Sequence, residues 1–362
     1  MFRRLATIAA AGLAVLAFPS PAYAADTFTA PVTVVATPCG QPEGSSDAAF
    51  GAGTIRGFAG FDGCSHAIYY VQGGTQGWTR VLSPYRGVVL GVDAGRVSRR
   101  VHHPVDQVGR RLVGVTKRSH SGAFSATRVL STAAASQVVT PTADIGAEGG
   151  KWWAVWTEQV GPGGEFASQQ LFQAKTFGTP ADHQQITFTG SAVDNTEPSI
   201  SLDGNGAVLA WTRQTAPEMP GPSDIRIATN PNTAWTSRVF SDAGTFNSTA
   251  DVKRIGGFTF VVWVRDGRVV ESENTTGTWT SHVFVTPGDR PRVGSTFGSQ
   301  FVVYTTGSGV FYARGNRGSQ SFVGQTVSAP GTALDSLVAV NGKGTLLIRS
   351  GLRVYSITSQ TT

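Results

Sequence analysis

Asp224-Ile225-Arg226-Ile227-Ala228-Thr229, followed by Trp235-Thr236-Ser237-Arg238-Val239-Phe240, returns 44 residues later. The second copy reads Arg268-Val269-Val270-Glu271-Ser272-Glu273, then Trp279-Thr280-Ser281-His282-Val283-Phe284. Each copy is a run of alternating apolar and polar residues, a polar turn, and a second run opened by tryptophan. Alternation with period two is the mark of a strand, and the turn between makes the pair a hairpin. Looser echoes occupy 67–71, 112–116, 171–175, 310–314 and 353–357. Aligned at Tyr70, Val115, Ala174, Ala228, Ser272, Ala313 and Ser356, the seven are spaced by 45, 59, 54, 44, 41 and 43 residues.

A repeat of that length filled with strand patterns predicts an all-β chain, a seven-bladed β-propeller. Each blade is a four-stranded meander, and the echo is its third strand. Ahead of it lies a densely apolar second strand: 152–156, 207–211, 258–263, 301–304 and 345–348. Such runs suit strands buried on both faces between neighbouring blades. Gly149-Gly150, Gly204-Asn205-Gly206, Gly256-Gly257 and Gly342-Lys343-Gly344 precede these strands and supply the positive φ of tight turns. Outermost strands follow six of the seven echoes, and the chain ends just beyond the seventh. The segment 28–34 reads like the missing one, so the N-terminal strand is expected to join the last blade and close the ring, which removes an open edge. Six blades are the alternative, because repeats one and two are irregular.

Residues 1–24 read as a signal peptide: Arg3-Arg4, an apolar run over 5–18, and Ala22-Tyr23-Ala24 as a cleavage site. The expectation is a secreted, extracellular, monomeric protein with one propeller domain over 25–362 and no membrane insertion. Removing Arg3 and Arg4 leaves 27 basic and 23 acidic residues (29 − 2 and 23), a net charge of +4. The basic residues are scattered, which argues against nucleic acid as partner. Cys39 and Cys64 form an even pair in an exported chain and are expected to be a disulfide.

The residue two places after the second-strand aromatic recurs as Glu158, Arg213, Arg265 and Thr306, with Arg349 after Leu347 in the seventh repeat. Residues two apart on a strand share a face. Arg213, Arg265 and Arg349 are therefore expected to line one rim, where guanidinium forks suit a carboxylate or phosphate. Glu158, Glu197 and Arg290 lie on connections reaching the same face. Long connections in repeats three and four (157–168 and 212–224) suggest an asymmetric pocket. The plainer reading of these charges is solvated or ion-paired surface. Trp78, Trp235 and Trp279 are read as packing anchors. His102 and His103 point to opposite faces, and neither a metal nor a cofactor is expected. Asn247-Ser248-Thr249 and Asn274-Thr275-Thr276 match the glycosylation pattern.

The units 224–239 and 269–283 resemble the repeats of sialidase-like propellers, with a third strand, a short turn, then tryptophan and an outer strand. Asp-boxes are not intact: Ser201-Leu202-Asp203-Gly204-Asn205-Gly206 begins like one but lacks the Thr-Trp. The arginine set is similar in kind to that family's carboxylate-binding triad. The expected function is a secreted binding module for a glycan or other anionic extracellular ligand. The alternative is an extracellular glycoside hydrolase or lyase using loop carboxylates.

Overall fold

The computed structural model describes residues 25–360 apart from 37–55, 62–66, 75–76, 87, 94–100, 109–110, 118–127, 132–142, 149–150, 162–167, 177–180, 191, 205, 216–221, 231–234, 241–243, 276, 297, 332, 341 and 352. From 56 to 131 the account is confined to the backbone. Cys39 and Cys64 lie outside the described residues, as does the whole of 1–24.

The described chain is all-β and forms seven antiparallel sheets. The first holds Arg56–Phe61, Ala67–Gly74 and Gly77–Arg86; the second, Val88–Asp93, Val101–Val108, Arg111–Lys117 and Arg128–Ser131. The third holds Ala143–Glu148, Lys151–Val160, Ser168–Lys175 and Ala181–Gln185; the fourth, Val193–Asp203, Gly206–Thr215, Ser223–Asn230 and Thr236–Val239. The fifth holds Asn247–Ile255, Phe258–Arg265, Arg268–Asn274 and Trp279–Pro287; the sixth, Asp289–Ser295, Ser299–Thr306, Gly309–Asn316 and Phe322–Val327. The seventh runs Ala333–Val340, Lys343–Ser350 and Arg353–Gln360, and its far edge is taken by the N-terminal segment. Thr27 pairs with Gln360 and Phe28 with Ser359, then Val32 with Ser356 and Ala36 with Arg353. This edge strand is broken in two, Thr27–Phe28 and Val32–Ala36, with Pro31 and its missing N–H in the gap.

Consecutive sheets pack face to face through the second strands. Leu209 and Trp211 of the fourth sheet meet Trp153, Val155 and Leu171 of the third. Val261 and Trp263 of the fifth meet Val208, Ala210, Ile225 and Ile227 of the fourth. Val302 and Tyr304 of the sixth meet Phe260, Val262 and Val269 of the fifth, and Leu346 and Ile348 of the seventh meet Phe301, Val303 and Tyr312 of the sixth. From the third sheet to the seventh, both faces of the second strand are thus dry, as the apolar runs require. Each such buried side chain stabilises by about 1.5–3 kcal/mol relative to exposure.

The first strands of neighbouring sheets run side by side, and side chains fasten them. Asp144 accepts the Ile200 N–H at 2.8 Å, and Asp251 accepts that of Val293 at 2.7 Å. Ser199 accepts the Val252 N–H at 3.2 Å while donating to Asp251 at 3.1 Å. Backbone donors that no ladder reaches are satisfied in this way. The N-terminal segment is held similarly. Asp26 is 8% exposed and accepts from Tyr312 at 2.7 Å and Arg314 at 3.0 Å, with Phe28 edge-on to Tyr312. Burial, first, and the Asp26 charge push the Tyr312 hydroxyl well above its ordinary pKa.

The repeat also places one polar partner for each inter-sheet indole. Trp211 donates to Asn195 at 2.9 Å, and Trp263 donates to Asn247 at 3.1 Å, each pair 16 residues apart. In the sixth sheet a tyrosine, Tyr304, takes the tryptophan's place and Gly288 takes the asparagine's. A Cβ at 288 would run into the Tyr304 ring. Asn247 is 2% exposed and its amide donates to the Ser223 carbonyl at 2.6 Å, so this glycosylation pattern is sealed in the core.

Candidate functional site: a groove between the third and fourth sheets

Gln170, 1% exposed on the third strand of the third sheet, staples the connection that leads to the fourth. Its side-chain oxygen accepts from the Thr187 hydroxyl at 2.9 Å and the Thr189 N–H at 3.3 Å, and its amide donates to the Thr189 hydroxyl at 2.8 Å. Asn195 donates to the same Thr189 hydroxyl at 2.9 Å. Held this way, 186–189 forms one wall of a groove of about 200 Å³. Leu209, Trp211 and Ala228 form the floor, and Phe188, Arg213, Arg226 and Trp235 the rim.

Three of the four rim residues have a local cause. Arg213 pairs across the hairpin with Asp224, and Arg226 follows Asp224 by two, so all three share a face. Both guanidinium groups reach the same oxygen, Asp224 Oδ2, at 3.3 and 3.4 Å. These are long contacts at side chains 22–24% exposed, worth no more than about 1 kcal/mol. Two cations share one carboxylate, which leaves local positive charge, and the Arg226 Nε is buried with no hydrogen-bond partner. Trp235 packs on Trp153 at 4.7 Å and donates its indole N–H to Gln173 at 2.9 Å. The same Gln173 oxygen accepts from Trp153 at 2.8 Å. Phe188 is 79% exposed, a large apolar ring left in water at the groove's lip. The arrangement offers stacking surface beside paired guanidinium donors.

The other expected site residues fall elsewhere. The hairpin turns set the register: Arg265 pairs with Arg268 and Thr306 with Gly309, whereas in the seventh sheet Ser350 pairs with Arg353 and Arg349 with Val354. Ser350 is therefore the equivalent of Arg265. Ile348, not Leu347, takes the aromatic's place toward the preceding sheet, so Arg349 lies on the opposite face. Arg265, two after Trp263, looks into the gap between the fourth and fifth sheets. The three arginines do not form an equivalent set.

Glu197 sits at a bulge with φ 52° and accepts from the Thr212 hydroxyl at 3.0 Å and the Thr249 N–H at 2.8 Å. It is a structural tie between first strands. Arg290 occupies the matching bulge of the sixth sheet with φ 50°, and is 59% exposed, 3.9 Å from Asp289. Glu158 is 3% exposed and accepts from the Trp156 indole at 2.6 Å; its two oxygens lie 3.1 and 3.0 Å from His183 Nε2. The half-exposed His183 ring stacks on Phe172 at 4.9 Å. Among the described residues no group of three His, Cys, Asp or Glu could hold a metal ion, and no helix is long and apolar enough to cross a membrane.

Asp224, Arg226, Phe188 and His183 were not singled out by sequence. The alternation at 224–228 places Arg226 beside Asp224. Nothing local marks Phe188 or His183, whose roles depend on which sheet face they meet.

No protein-family model and no curated protein sequence matches the chain. Among solved structures, the polysaccharide lyase Uly1 is similar with a TM-score of 0.59 at 9% identity, covering 88% of this chain and 89% of that one. A prolyl endopeptidase gives 0.49 at 11% identity, over 93% of this chain and 50% of that one. A puromycin-hydrolysing peptidase of Mycobacterium tuberculosis gives 0.48 at 13%, over 84% and 48%. At these identities the likeness to Uly1 is one of fold, a propeller-type arrangement of antiparallel sheets.

Proposed function

We propose that the protein is a secreted, seven-bladed β-propeller, its ring closed by the N-terminal strand, that binds a glycan or other anionic extracellular ligand. The observation that carries the reading is the groove, where the exposed Phe188 ring and the fixed Trp235 flank the Arg213–Asp224–Arg226 cluster. Sugar rings bind through one apolar face and through hydroxyls or carboxylates at their edge; aromatic and guanidinium groups serve both. The fold shared with a polysaccharide lyase agrees with a carbohydrate ligand without specifying one. Titration with a panel of neutral and acidic oligosaccharides tests the proposal. Saturable binding that Phe188→Ala and Arg226→Gln each weaken is the expected result. Silence across the panel, or binding indifferent to both changes, rules the groove out.

A second reading, an extracellular hydrolase or lyase, draws on the Glu158–His183 pair. A buried carboxylate that orients a half-exposed imidazole is the usual setting of a general base. Product release from a polysaccharide panel, lost in His183→Ala and retained in Phe188→Ala, would favour it. No turnover on any substrate would count against it.

A further inference from the structure

The N-terminal segment is fastened to two sheets at once. Its strands, Thr27–Phe28 and Val32–Ala36, pair with Arg353–Gln360 along the edge of the seventh sheet. Between them, the Thr29 N–H donates to the Thr358 carbonyl at 3.0 Å, and the Thr29 hydroxyl accepts from the Thr358 N–H at 3.1 Å. Asp26, one residue ahead of the first strand, reaches across to the sixth sheet instead. Tyr312 and Arg314, two apart on the third strand of that sheet, donate to its two carboxylate oxygens at 2.7 and 3.0 Å. Gln325, opposite Tyr312 on the fourth strand, donates its side-chain amide to the Asp26 carbonyl.

The two attachments differ in character. The ladder on the seventh sheet is short and irregular. Its first strand has two residues, the register slips between Thr33 and Val35, and Ala30, Pro31, Val32 and Thr33 are exposed. Edge pairing with so little buried beneath it belongs to the low-stability end of a structure. The Asp26 contact is dry by comparison, with the Asp26 side chain 3% exposed and that of Arg314 12%. Hydrogen bonds to an ionised group are roughly twice as strong as neutral ones. Drawing Asp26 out would also leave the Arg314 charge in the core beside the Phe301 ring without this partner, which is costly. Phe28, edge-on to Tyr312, adds packing at the same point. Retention of the segment is therefore concentrated at one carboxylate.

We propose that the N-terminal segment is a releasable strap pinned by Asp26, and that the seam it covers accepts the same segment from a second copy of the chain. Release unpairs one side of Arg353–Gln360 and empties the Tyr312–Arg314 socket. An open sheet edge is a template for another strand. The occupant that suits both edge and socket is a strand with an acidic residue one place ahead of it. The identical segment of a second copy meets that description residue for residue, so exchange between copies re-forms every bond that release breaks.

The probe for the second copy is a fluorescent peptide of residues 25–36, added to the intact chain. Hydrogen exchange read by mass spectrometry follows the strap in the same samples. In Asp26→Asn, exchange over 25–36 should quicken about tenfold or more while Ser299–Thr306 stays as protected as in the wild type. This chain should capture the wild-type peptide, and a peptide carrying the same Asp26→Asn change should bind it about tenfold more weakly. Tyr312→Phe keeps the Arg314 pair; it should lie between wild type and Asp26→Asn in both measurements, and it decides the matter if Asp26→Asn does not fold. Unchanged exchange over 25–36 in the variants overturns the strap, as does exchange that quickens in every sheet together. Equal capture of the two peptides, or capture of neither, overturns the docking seam.

Discussion

Glu197 and Thr249 occupy the same bulge position in consecutive sheets, at φ 52° and 50°, and the carboxylate of the first accepts the backbone N–H of the second at 2.8 Å. A non-glycine residue at positive φ costs about 1–3 kcal/mol and persists only where the surroundings hold it. Here the tie between first strands holds it. Glu197→Ala leaves the Thr249 N–H and the Thr212 hydroxyl without this acceptor, a loss of about 1–3 kcal/mol. A thermal melt should show a drop of several degrees, with glycan titration unchanged. A variant of wild-type stability that no longer binds ligand would return Glu197 to the binding site.

The one-residue register difference in the seventh sheet separates two accounts of the arginines. Arg213→Gln should weaken glycan binding about tenfold, equivalent to ~1.4 kcal/mol. Arg349→Gln and Arg265→Gln should leave it within about twofold, since a remote surface charge acts weakly through salt. Equal losses in all three would favour a shared rim over the groove.

Gln173 serves two indoles with one oxygen, Trp153 at 2.8 Å and Trp235 at 2.9 Å. Gln173→Leu orphans both N–H groups, and each unmet buried donor costs about 1–3 kcal/mol. Lower stability and a shifted tryptophan emission are expected, together with weaker ligand binding as Trp235 loosens. Gln173→Glu retains an acceptor and should lose less.

Glu271 gives stability a definite pH slope. Its folded-state pKa is raised, first by burial and then by Glu273. The folded chain therefore holds that proton more tightly than the unfolded chain, and stability falls as pH rises from the ordinary glutamate value, about 4.3, through the raised one. Denaturant melts at several pH values should show this fall and its flattening in Glu271→Gln. An identical slope in the variant would assign the effect to other groups.

The sheet plan was legible because it is written in local patterns. The alternation at 224–229 and 268–273, the Gly-Gly turns and the Trp-Thr-Ser runs need only neighbours along the chain to be read. The N-terminal edge strand was legible as a missing member of a count. The site is less legible. Leu347 and Ile348 are equally apolar, so nothing in the letters says which of them faces the sixth sheet, and a slip of one residue reverses every side chain that follows. Glu158 and Glu197 look like free acids in sequence, yet one is held by Trp156 and His183 and the other by Thr212 and Thr249.

An all-β chain of repeated meanders follows from local sequence pattern, since backbone pairing and period-two burial act over a few residues. Which side chains meet depends on how the sheets dock. Arg226 shares a groove with Phe188 and Trp235 because the third and fourth sheets press together at one register. Charge and hydrogen bonding act over a few ångströms, so the chemistry of these gaps exists only once that register is set.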